Sequence, residues 1–538
     1  MAKEKYTYNT QKPGLVFLVS TVFVALFVVW GFIRPGQLAA AATEALEFTI
    51  HTFGWLYMLV AAFFVGFIFF LAVSPYGRLR LGKPEDRPEY SFYAWLGMLF
   101  SAGIGVGFVF WGVAEPILYF DDTPLGQDVE SQAEAAQLGL EYGIFHWGLH
   151  PWAIFSLVAL ALGYVQFRKD QPALISSAFY PLFGDKVRGR LGQSIDILAV
   201  LATSTGVATT FGLSAMQISG GLSYLTGLPN EPVTQLTIIA IISVLFMFSA
   251  ASGLDKGIKY LSVINLTVAG ILLLFVIAVG PTIYLLENIT TSLGGYISNF
   301  PEMSLSMTPF TDSSWIGANT IFYWAWHISW APFMGMFIAR ISRGRTIREF
   351  IAGVLLIPSL LAVIWFAVFG GAALNLELTG QAGIVNIVND TVELALFATL
   401  QEYPLAGLTN GLAVMLIVIF FITSADSASY TLGAMTSKGS LNPTLFAKLV
   451  WGLLIAGTAA VLLLSGGLEG LQTASIVAAL PFSIIMSMMV VSMLKMFIED
   501  TKQAKTVAKM QERAEMKEEI LKELEQEMDG FNRKNQKK

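Results

Sequence analysis

The sequence contains no cysteine and few charged residues. Only 13% of its 538 residues are charged, whereas 55% are hydrophobic. The lack of cysteine excludes a disulfide framework and any thiolate metal site. A mean hydropathy of +0.64 excludes a water-soluble domain, because so much apolar surface exceeds what one core can bury. The composition therefore predicts a polytopic membrane protein.

Arrangements typical of enzymes or metal centres are also lacking. Glu47 with His51 and His146 with His150 have the four-residue spacing of one helix face, but neither pair has a third ligand nearby in the sequence. The apolar runs contain no pairing of a nucleophile with a base. We therefore expect neither an enzyme nor a bound cofactor. The first apolar run begins near Gly14 without a cleavage site, so we interpret it as a retained span.

Apolar runs of roughly 20 residues, the length that crosses a bilayer, predict twelve membrane-spanning helices. The predicted spans are 14–33, 52–75, 93–115, 140–166, 191–212, 233–252, 261–286, 315–339, 350–374, 405–425, 445–466 and 470–497. An even number of spans places both chain ends on the same side of the membrane.

Lysine and arginine fall in alternate loops between these spans. Of the 32 basic residues only Arg34 lies on the predicted outside, so the positive-inside rule places both termini on the cytoplasmic side of the membrane. The loops predicted to be outside are acidic; the one after the third span includes Glu115, Asp121 and Asp122. One interpretation is that these loops concentrate cations at the entrance. The alternative is that outer loops lack basic residues only because of the topology, and the charge distribution alone does not distinguish the two interpretations.

Two spans contain helix interruptions. In the third span, SAGIGVGFVFWG contains Gly103, Gly105 and Gly107, which weaken a helix and expose backbone carbonyls to a ligand, or else allow close helix packing. In the eighth span, Pro332 and Gly335 follow the tryptophan-rich stretch. Paired interruptions at corresponding positions of two halves are typical of a transporter's central site. This assigns spans 3–7 and 8–12 to two five-helix halves.

The tenth span ends in FFITSADSASY, where four hydroxyl residues, Thr423, Ser424, Ser427 and Ser429, surround Asp426. Hydroxyl and carbonyl oxygens are hard ligands that suit a small alkali cation. The alternative is that these hydroxyls donate to carbonyls of their own helix, as is common in membrane helices.

Aromatic residues cluster in the fourth and eighth spans. Trp147, Trp152 and Phe155 fall within an arc of roughly 140° on one helix face. Trp326 and Trp330, four residues apart, share a face of the eighth span. A box of aromatic faces without nearby acids attracts a quaternary ammonium. The alternative, an interfacial tryptophan belt, suits residues in the middle of a span less well.

At these residues the sequence resembles the betaine/carnitine/choline transporter family, bacterial carriers of trimethylammonium solutes with a LeuT-like fold. The resemblance rests on the eighth-span stretch FYWAWHISWAPFMGMFIARISRGRTIREF, on GIGVGFVFWGVAEP, on FHWGLHPWAI and on TSADS, and it extends from about Tyr8 to Phe497.

The resemblance implies an all-α fold of twelve transmembrane helices, with a LeuT-like 5+5 inverted repeat and two additional N-terminal helices. The predicted organisation is a cytoplasmic N-terminus (1–13), two peripheral helices (14–92), a first repeat (93–290), a connecting segment (291–314), a second repeat (315–497) and a cytoplasmic helical tail (498–538). The family also implies a homotrimer. A basic stripe on the tail, Lys505, Lys509, Arg513 and Lys517, either contacts anionic lipid or is simply solvated.

The resemblance also implies functional residues. The substrate cage would consist of Trp147, Trp152, Phe155, Trp326, His327 and Trp330, with the backbone of Gly103, Ile104 and Gly105. A sodium ion would bind to the carbonyls of Ser101, Ile104 and Phe420 and to the hydroxyls of Thr423 and Ser424. A second sodium site would fall on Thr203, Val207 and Phe333.

Three residues depart from the family pattern. His327 stands where betaine carriers commonly have a tryptophan, Phe155 replaces a tyrosine, and Val207 replaces a hydroxyl residue and cannot ligate a cation. A neutral imidazole at 327 would stack on an ammonium or accept a hydrogen bond, a protonated one would repel it, and the alternative is a histidine that only packs. We expect sodium-coupled uptake of glycine betaine or a related compatible solute. The alternatives are a proton-coupled or exchange carrier of choline, carnitine or ectoine, and a channel or osmosensor.

Overall fold

The computed structural model describes residues 14–103, 105–127, 129–252, 255–310, 314–440 and 442–535, with no side chains described at 100–103, 250–252, 255–259 and several positions beyond 503. Within these ranges the chain is helical and has no β-strand; its one β-type pairing is an isolated antiparallel bridge between Arg80 and Thr346. This agrees with the predicted all-α class.

Fourteen long helices are described. They are α1 (Leu15–Ile33), α2 (Pro35–Val73), α3 (Phe92–Gly103), α4 (Val106–Asp121), α5 (Gln132–Trp147), α6 (Leu149–Gly163), α7 (Arg190–Thr226), α8 (Pro232–Ser252), α9 (Asp255–Val279), α10 (Thr282–Leu305), α11 (Thr320–Ile341), α12 (Ile347–Leu378, with π-helical turns), α13 (Ala406–Thr436) and α14 (Leu445–Asn535). Short helices at Tyr180–Phe183, Ser314–Ala318, Ile384–Asp390 and Ala395–Gln401 lie between them.

Nine segments of the described chain are long and apolar enough to cross a membrane, which confirms a polytopic membrane protein. The predicted third span is divided into α3 and α4, and α11 is not among the nine. The predicted spans 445–466 and 470–497 both lie in α14, where Gly467 has a φ of 57° that interrupts regular helical geometry. The number twelve therefore stays a prediction.

The end of the predicted seventh span differs from the structure. The span was expected to continue to residue 286, but α9 ends at Val279 and α10 begins after Pro281, whose ring removes a backbone donor. The new helix crosses residue 290, where the first repeat was predicted to end. It is fastened to α5, because Asn299 Nδ2 donates to Glu141 Oε2 at 2.8 Å.

The arginine-rich segment after α11 packs into the protein. Arg345 is only 2% exposed; it pairs with Glu349 and lies 4.0 Å from the centre of the Trp95 ring. Arg348 donates to the carbonyl of Ala72 at the end of α2. These arginines therefore hold loops together in addition to any part they play in topology.

The beginning of the predicted tail is attached to the same end of the molecule. Asp500, in α14, accepts hydrogen bonds from the Tyr164 hydroxyl at 2.6 Å and from Arg168 Nε at 2.5 Å, and it also pairs with Lys169. The helix continues to Asn535, and its described side chains beyond Thr501 are exposed.

Candidate functional site

The predicted aromatic residues of the fourth and eighth spans surround one cavity. It is bounded by α4, α5, α6, α7 and α11, and its volume is about 40 Å³. Its lining consists of the predicted residues Gly105, Trp147, Trp152, Phe155, Trp326, His327 and Trp330, together with Val106, Gly107, Phe108, Pro151, Thr210 and Met334. We call this set the aromatic cage.

Rings of the aromatic cage meet mostly edge to face. Trp147 lies 5.7 Å from Trp326 and 5.2 Å from His327, both with interplanar angles of 87°. Trp152 and Phe155 lie 5.7 Å apart at 89°. An edge-to-face contact covers only one ring face, so other faces stay available to another group. Apart from Trp330, which is half-buried, these rings are at most 7% exposed. The cage therefore presents desolvated aromatic faces to whatever occupies it.

One carbonyl of α7 orients two tryptophans of the cage. The indole nitrogens of Trp326 and Trp330 both donate to the oxygen of Gly206, at 3.2 and 2.9 Å. Glycine is needed at 206 because an added Cβ would come within 2.9 Å of Cδ1 of Trp330. The four-residue spacing on α11 puts both rings on the same face, as expected from the sequence.

The break in the third span opens directly into the cage. Helix α3 ends at Gly103, and α4 begins at Val106 after Gly105, whose φ of −116° and ψ of −173° are extended. The first N–H groups of α4 thus have no partners within their own helix. Gly107 allows close packing, because an added Cβ would overlap the Trp147 ring. Of the predicted backbone ligands, Gly105 lines the cavity, Gly103 ends α3, and Ile104 lies outside the described residues.

His327 forms part of the cage wall. Its ring lies 5.2 Å from Trp147, 5.7 Å from Phe155 and 5.9 Å from Trp326. The side chain is 5% exposed, and Nδ1 has no hydrogen-bond partner among the described atoms. The wall therefore has a ring nitrogen without a hydrogen bond at this position, where a tryptophan would have an indole N–H that can only donate.

The threonines of both predicted sodium sites bond to their own helices. Thr423 Oγ1 donates to the carbonyls of Ile419 at 2.9 Å and Phe420 at 3.2 Å. Thr203 Oγ1 donates to the carbonyl of Ala199 at 2.8 Å. For Thr423 this is the alternative considered from the sequence. A hydroxyl that donates in this way keeps lone pairs that can face a cation.

The structure describes the positions of some other predicted sodium ligands but does not test whether they form a site. Ser424 is half-buried in α13, and Phe333 packs against Trp330 at 5.4 Å. Val207 is 1% exposed. The Ser101 side chain and Ile104 lie outside the described part of the chain, so the sodium sites stay predictions.

Two residues beside the cage were not recognised from the sequence. Glu115 was expected in an acidic outer loop, but it lies inside α4 and is 0% exposed, so that expectation is wrong for this residue. The apolar residues before Glu115 and Pro116 after it were the sequence features that could have indicated a buried position. Tyr296, in α10, accepts a hydrogen bond from the backbone N–H of Leu149 at 2.9 Å. That N–H is freed by the break between α5 and α6 at Gly148, next to Trp147.

The chain is similar in sequence to known membrane transporters. Residues 15–502 match the model of the BCCT family, described as betaine/carnitine/choline family transporters. The chain is 49% identical over 498 residues to the glycine betaine transporter OpuD of Bacillus subtilis, which covers 92% of this chain and 96% of the relative. It is 45% identical over 489 residues to an ectoine/hydroxyectoine transporter of Virgibacillus pantothenticus, covering 91% and 97%. A probable glycine betaine transporter of Desulfitobacterium hafniense is 43% identical over 493 residues, covering 91% and 98%.

Proposed function

The chain belongs to the betaine/carnitine/choline transporter family, and we propose that it is a sodium-coupled importer of glycine betaine or a related quaternary-ammonium solute. The family makes it a multi-pass membrane transporter of osmolytes and not an enzyme. The observation that carries the more specific proposal is the aromatic cage, in which tryptophans of two spans face one cavity.

The cage suits the trimethylammonium end of such a solute. A quaternary ammonium donates no hydrogen bond, but ring quadrupoles attract its diffuse charge by about 2 kcal/mol or more where water is excluded. Trp147, Trp326 and Trp330 supply such rings, and Trp152 and Phe155 close the wall beside them.

The other end of glycine betaine is a carboxylate. The N-terminus of α4 begins at Val106 in the cavity lining, and unpaired N–H groups with the helix dipole favour an anion there. The substrate would then lie with its ammonium among the rings and its carboxylate toward α4. Both ends of a zwitterion are accommodated without a buried charged side chain.

Sodium is the proposed coupling ion. Its ligands would be the carbonyls of Ser101, Ile104 and Phe420 with the hydroxyls of Thr423 and Ser424, all oxygens suited to an alkali cation. Sodium bound between the interrupted third span and α13 would favour the conformation that binds substrate, so that the ion gradient drives accumulation.

The architecture that we propose is two five-helix inverted repeats of the LeuT type, preceded by two peripheral helices. The broken third span and the α11 span would begin the two repeats and meet at the substrate site. Cytoplasmic termini follow from the distribution of lysine and arginine. A homotrimer is proposed from family resemblance.

The test is uptake of radiolabelled glycine betaine into proteoliposomes under an inward sodium gradient, with an equal potassium gradient as the control. We expect saturable accumulation that needs sodium. Betaine uptake that ignores sodium would refute the coupling, and downhill flux that does not saturate would indicate a channel.

His327 favours a second candidate function, transport of a cyclic solute such as ectoine. The unpartnered Nδ1 in the cage wall can accept a hydrogen bond from a ring N–H, which glycine betaine lacks. Competition of ectoine, choline and carnitine against labelled betaine ranks these substrates. A proton-coupled or exchange carrier would instead respond to a pH gradient or to substrate loaded inside the vesicles.

A further inference from the structure

A carboxylic acid is enclosed next to the aromatic cage. Glu115 lies in the middle of α4 with 0% exposure, and its Oε2 atom has no hydrogen-bond partner among the described atoms. Gly143 of α5 covers this oxygen, since a Cβ added there would lie 3.5 Å from Oε2. Within the described part of the chain, no lysine or arginine lies within ion-pair distance of the carboxyl.

The partners of Glu115 are neutral groups. The Tyr323 hydroxyl is close enough to donate to the carboxyl, and the other neighbours are an indole and an imidazole. Its Oε1 atom is 3.4 Å from the indole nitrogen of Trp147 and 3.7 Å from Nδ1 of His146. His146 is itself 0% exposed, lies 3.0 Å from the Thr320 hydroxyl through Nε2, and stacks on the Tyr323 ring at 4.5 Å. The imidazole is therefore held between neutral groups.

The titratable groups next to this carboxyl come from three helices: Tyr119 on α4, His146 on α5 and Tyr323 on α11. Farther out, Asp122 and Tyr142 lie near Tyr119, and His150 and His327 lie near His146. From α12 the neighbour that packs against Gly143 is Phe366, which does not titrate. None of these groups carries a permanent positive charge.

An ionised carboxylate does not fit these surroundings. Burying a charge without a cationic partner costs several kcal/mol or more, and the described donors to this carboxyl, the Tyr323 hydroxyl and the Trp147 indole N–H, are both neutral. An ion pair with His146 would require a buried, protonated imidazole 3.7 Å from Oε1, and Oε2 would still have no hydrogen bond to it. A neutral acid beside a neutral imidazole avoids both costs.

We propose that Glu115 is a proton-binding site, whose neutral carboxyl anchors Trp147 in the cage through the indole N–H. The proton is the ligand, and Glu115 is a positioning residue for Trp147. The effect on transport rests on the proposed function, whereas the proton site itself does not.

Infrared spectroscopy of the purified wild-type protein tests the proton directly. A protonated carboxyl absorbs at a higher frequency than a carboxylate and shifts in deuterated buffer. We expect a buried protonated-acid band at neutral pH that is lost in Glu115→Gln and retained in Glu402→Gln, a matched change at an exposed glutamate. A spectrum in which Glu115→Gln removes only carboxylate absorption would overturn the proposal, whatever the protein transports.

Transport tests the anchoring. Glutamine copies the neutral acid and still accepts the indole N–H, whereas leucine leaves that N–H unpaired. We expect Glu115→Gln to transport betaine with a kcat/KM at least about tenfold above that of Glu115→Leu. Folding of each variant is checked by gel filtration and thermal unfolding. Equal loss of transport in two folded variants would show that the charged form is required. A large rise in the sodium concentration for half-maximal uptake of Glu115→Gln would identify a metal ligand; either result overturns the proposal.

Discussion

Replacing Trp330 by alanine removes one aromatic face from the cage while leaving its neighbours in place. The ring contributes about 2 kcal/mol to binding of a desolvated quaternary ammonium. Because 1.4 kcal/mol corresponds to about tenfold in affinity, we expect the KM for glycine betaine to rise about 30-fold. The Gly206 carbonyl stays bonded in the variant, since Trp326 donates to the same oxygen at 3.2 Å.

Because the carbonyl keeps Trp326 as a donor, a second substitution at Trp330 can distinguish the contribution of the ring from that of its hydrogen bond. Trp330→Phe keeps an aromatic face and loses only an N–H, so we expect its KM to rise less than about threefold, the effect of a hydrogen bond whose acceptor keeps another donor. Initial rates of betaine uptake into proteoliposomes are the assay. Trp30→Ala is the control, because that ring is 40% exposed on α1. An unchanged KM in Trp330→Ala, or equal losses in the alanine and phenylalanine variants, would refute this reasoning.

Four further substitutions have distinct expected outcomes. His327→Phe removes the unpartnered ring nitrogen, so we expect it to weaken competition by ectoine by about tenfold while betaine changes less, measured as inhibition constants. Tyr296→Phe leaves a buried backbone N–H unpaired and should lower stability by about 1–3 kcal/mol, seen as a lower thermal midpoint. Gly107→Ala forces a Cβ into the Trp147 ring and should reduce both stability and transport. The Cβ added by Gly105→Ala meets no atom of the described residues within 4 Å, so this variant should change KM and leave thermal stability intact.

Each of these substitutions has its own control and contradiction. Equal effects of His327→Phe on ectoine and betaine would show that the ring only packs. Tyr260→Phe, on a side chain that is 70% exposed, is the control for Tyr296. An unchanged midpoint in Tyr296→Phe would mean that the N–H finds another partner. The two glycine variants control each other, and similar behaviour of both would contradict the described packing.

The helical class and the aromatic composition of the site could be predicted because they depend on local sequence. Apolar runs as long as a bilayer is thick mark spans, and the four-residue spacing of Trp326 and Trp330 places both rings on one face. The spacing of Trp147 and Trp152 predicted a shared face in the same way. It did not reveal the break at Gly148 that lies between them.

Other features depend on contacts between distant segments and leave little local signal. Gly206 carries no motif, yet its carbonyl holds two tryptophans that are 120 and 124 residues away. Tyr296 is one tyrosine in an amphipathic helix, and only the fold brings its hydroxyl to the freed N–H of Leu149. Glu115 lies near the end of an apolar run, where composition alone does not distinguish a loop acid from a buried one. The α10 helix escaped prediction because an amphipathic helix lacks the continuous apolar run by which spans were found.

Binding of glycine betaine and of its carbon isostere to the purified protein tests the central claim most directly. The isostere, 3,3-dimethylbutanoate, has the same shape and carboxylate but lacks the positive charge. Titration calorimetry with sodium present should give an affinity for betaine at least about 30-fold higher than for the isostere, since the rings attract the cation. Trp330→Ala should narrow that ratio. Equal affinities for the two compounds in the wild-type protein would contradict a cage that recognises its solute by charge.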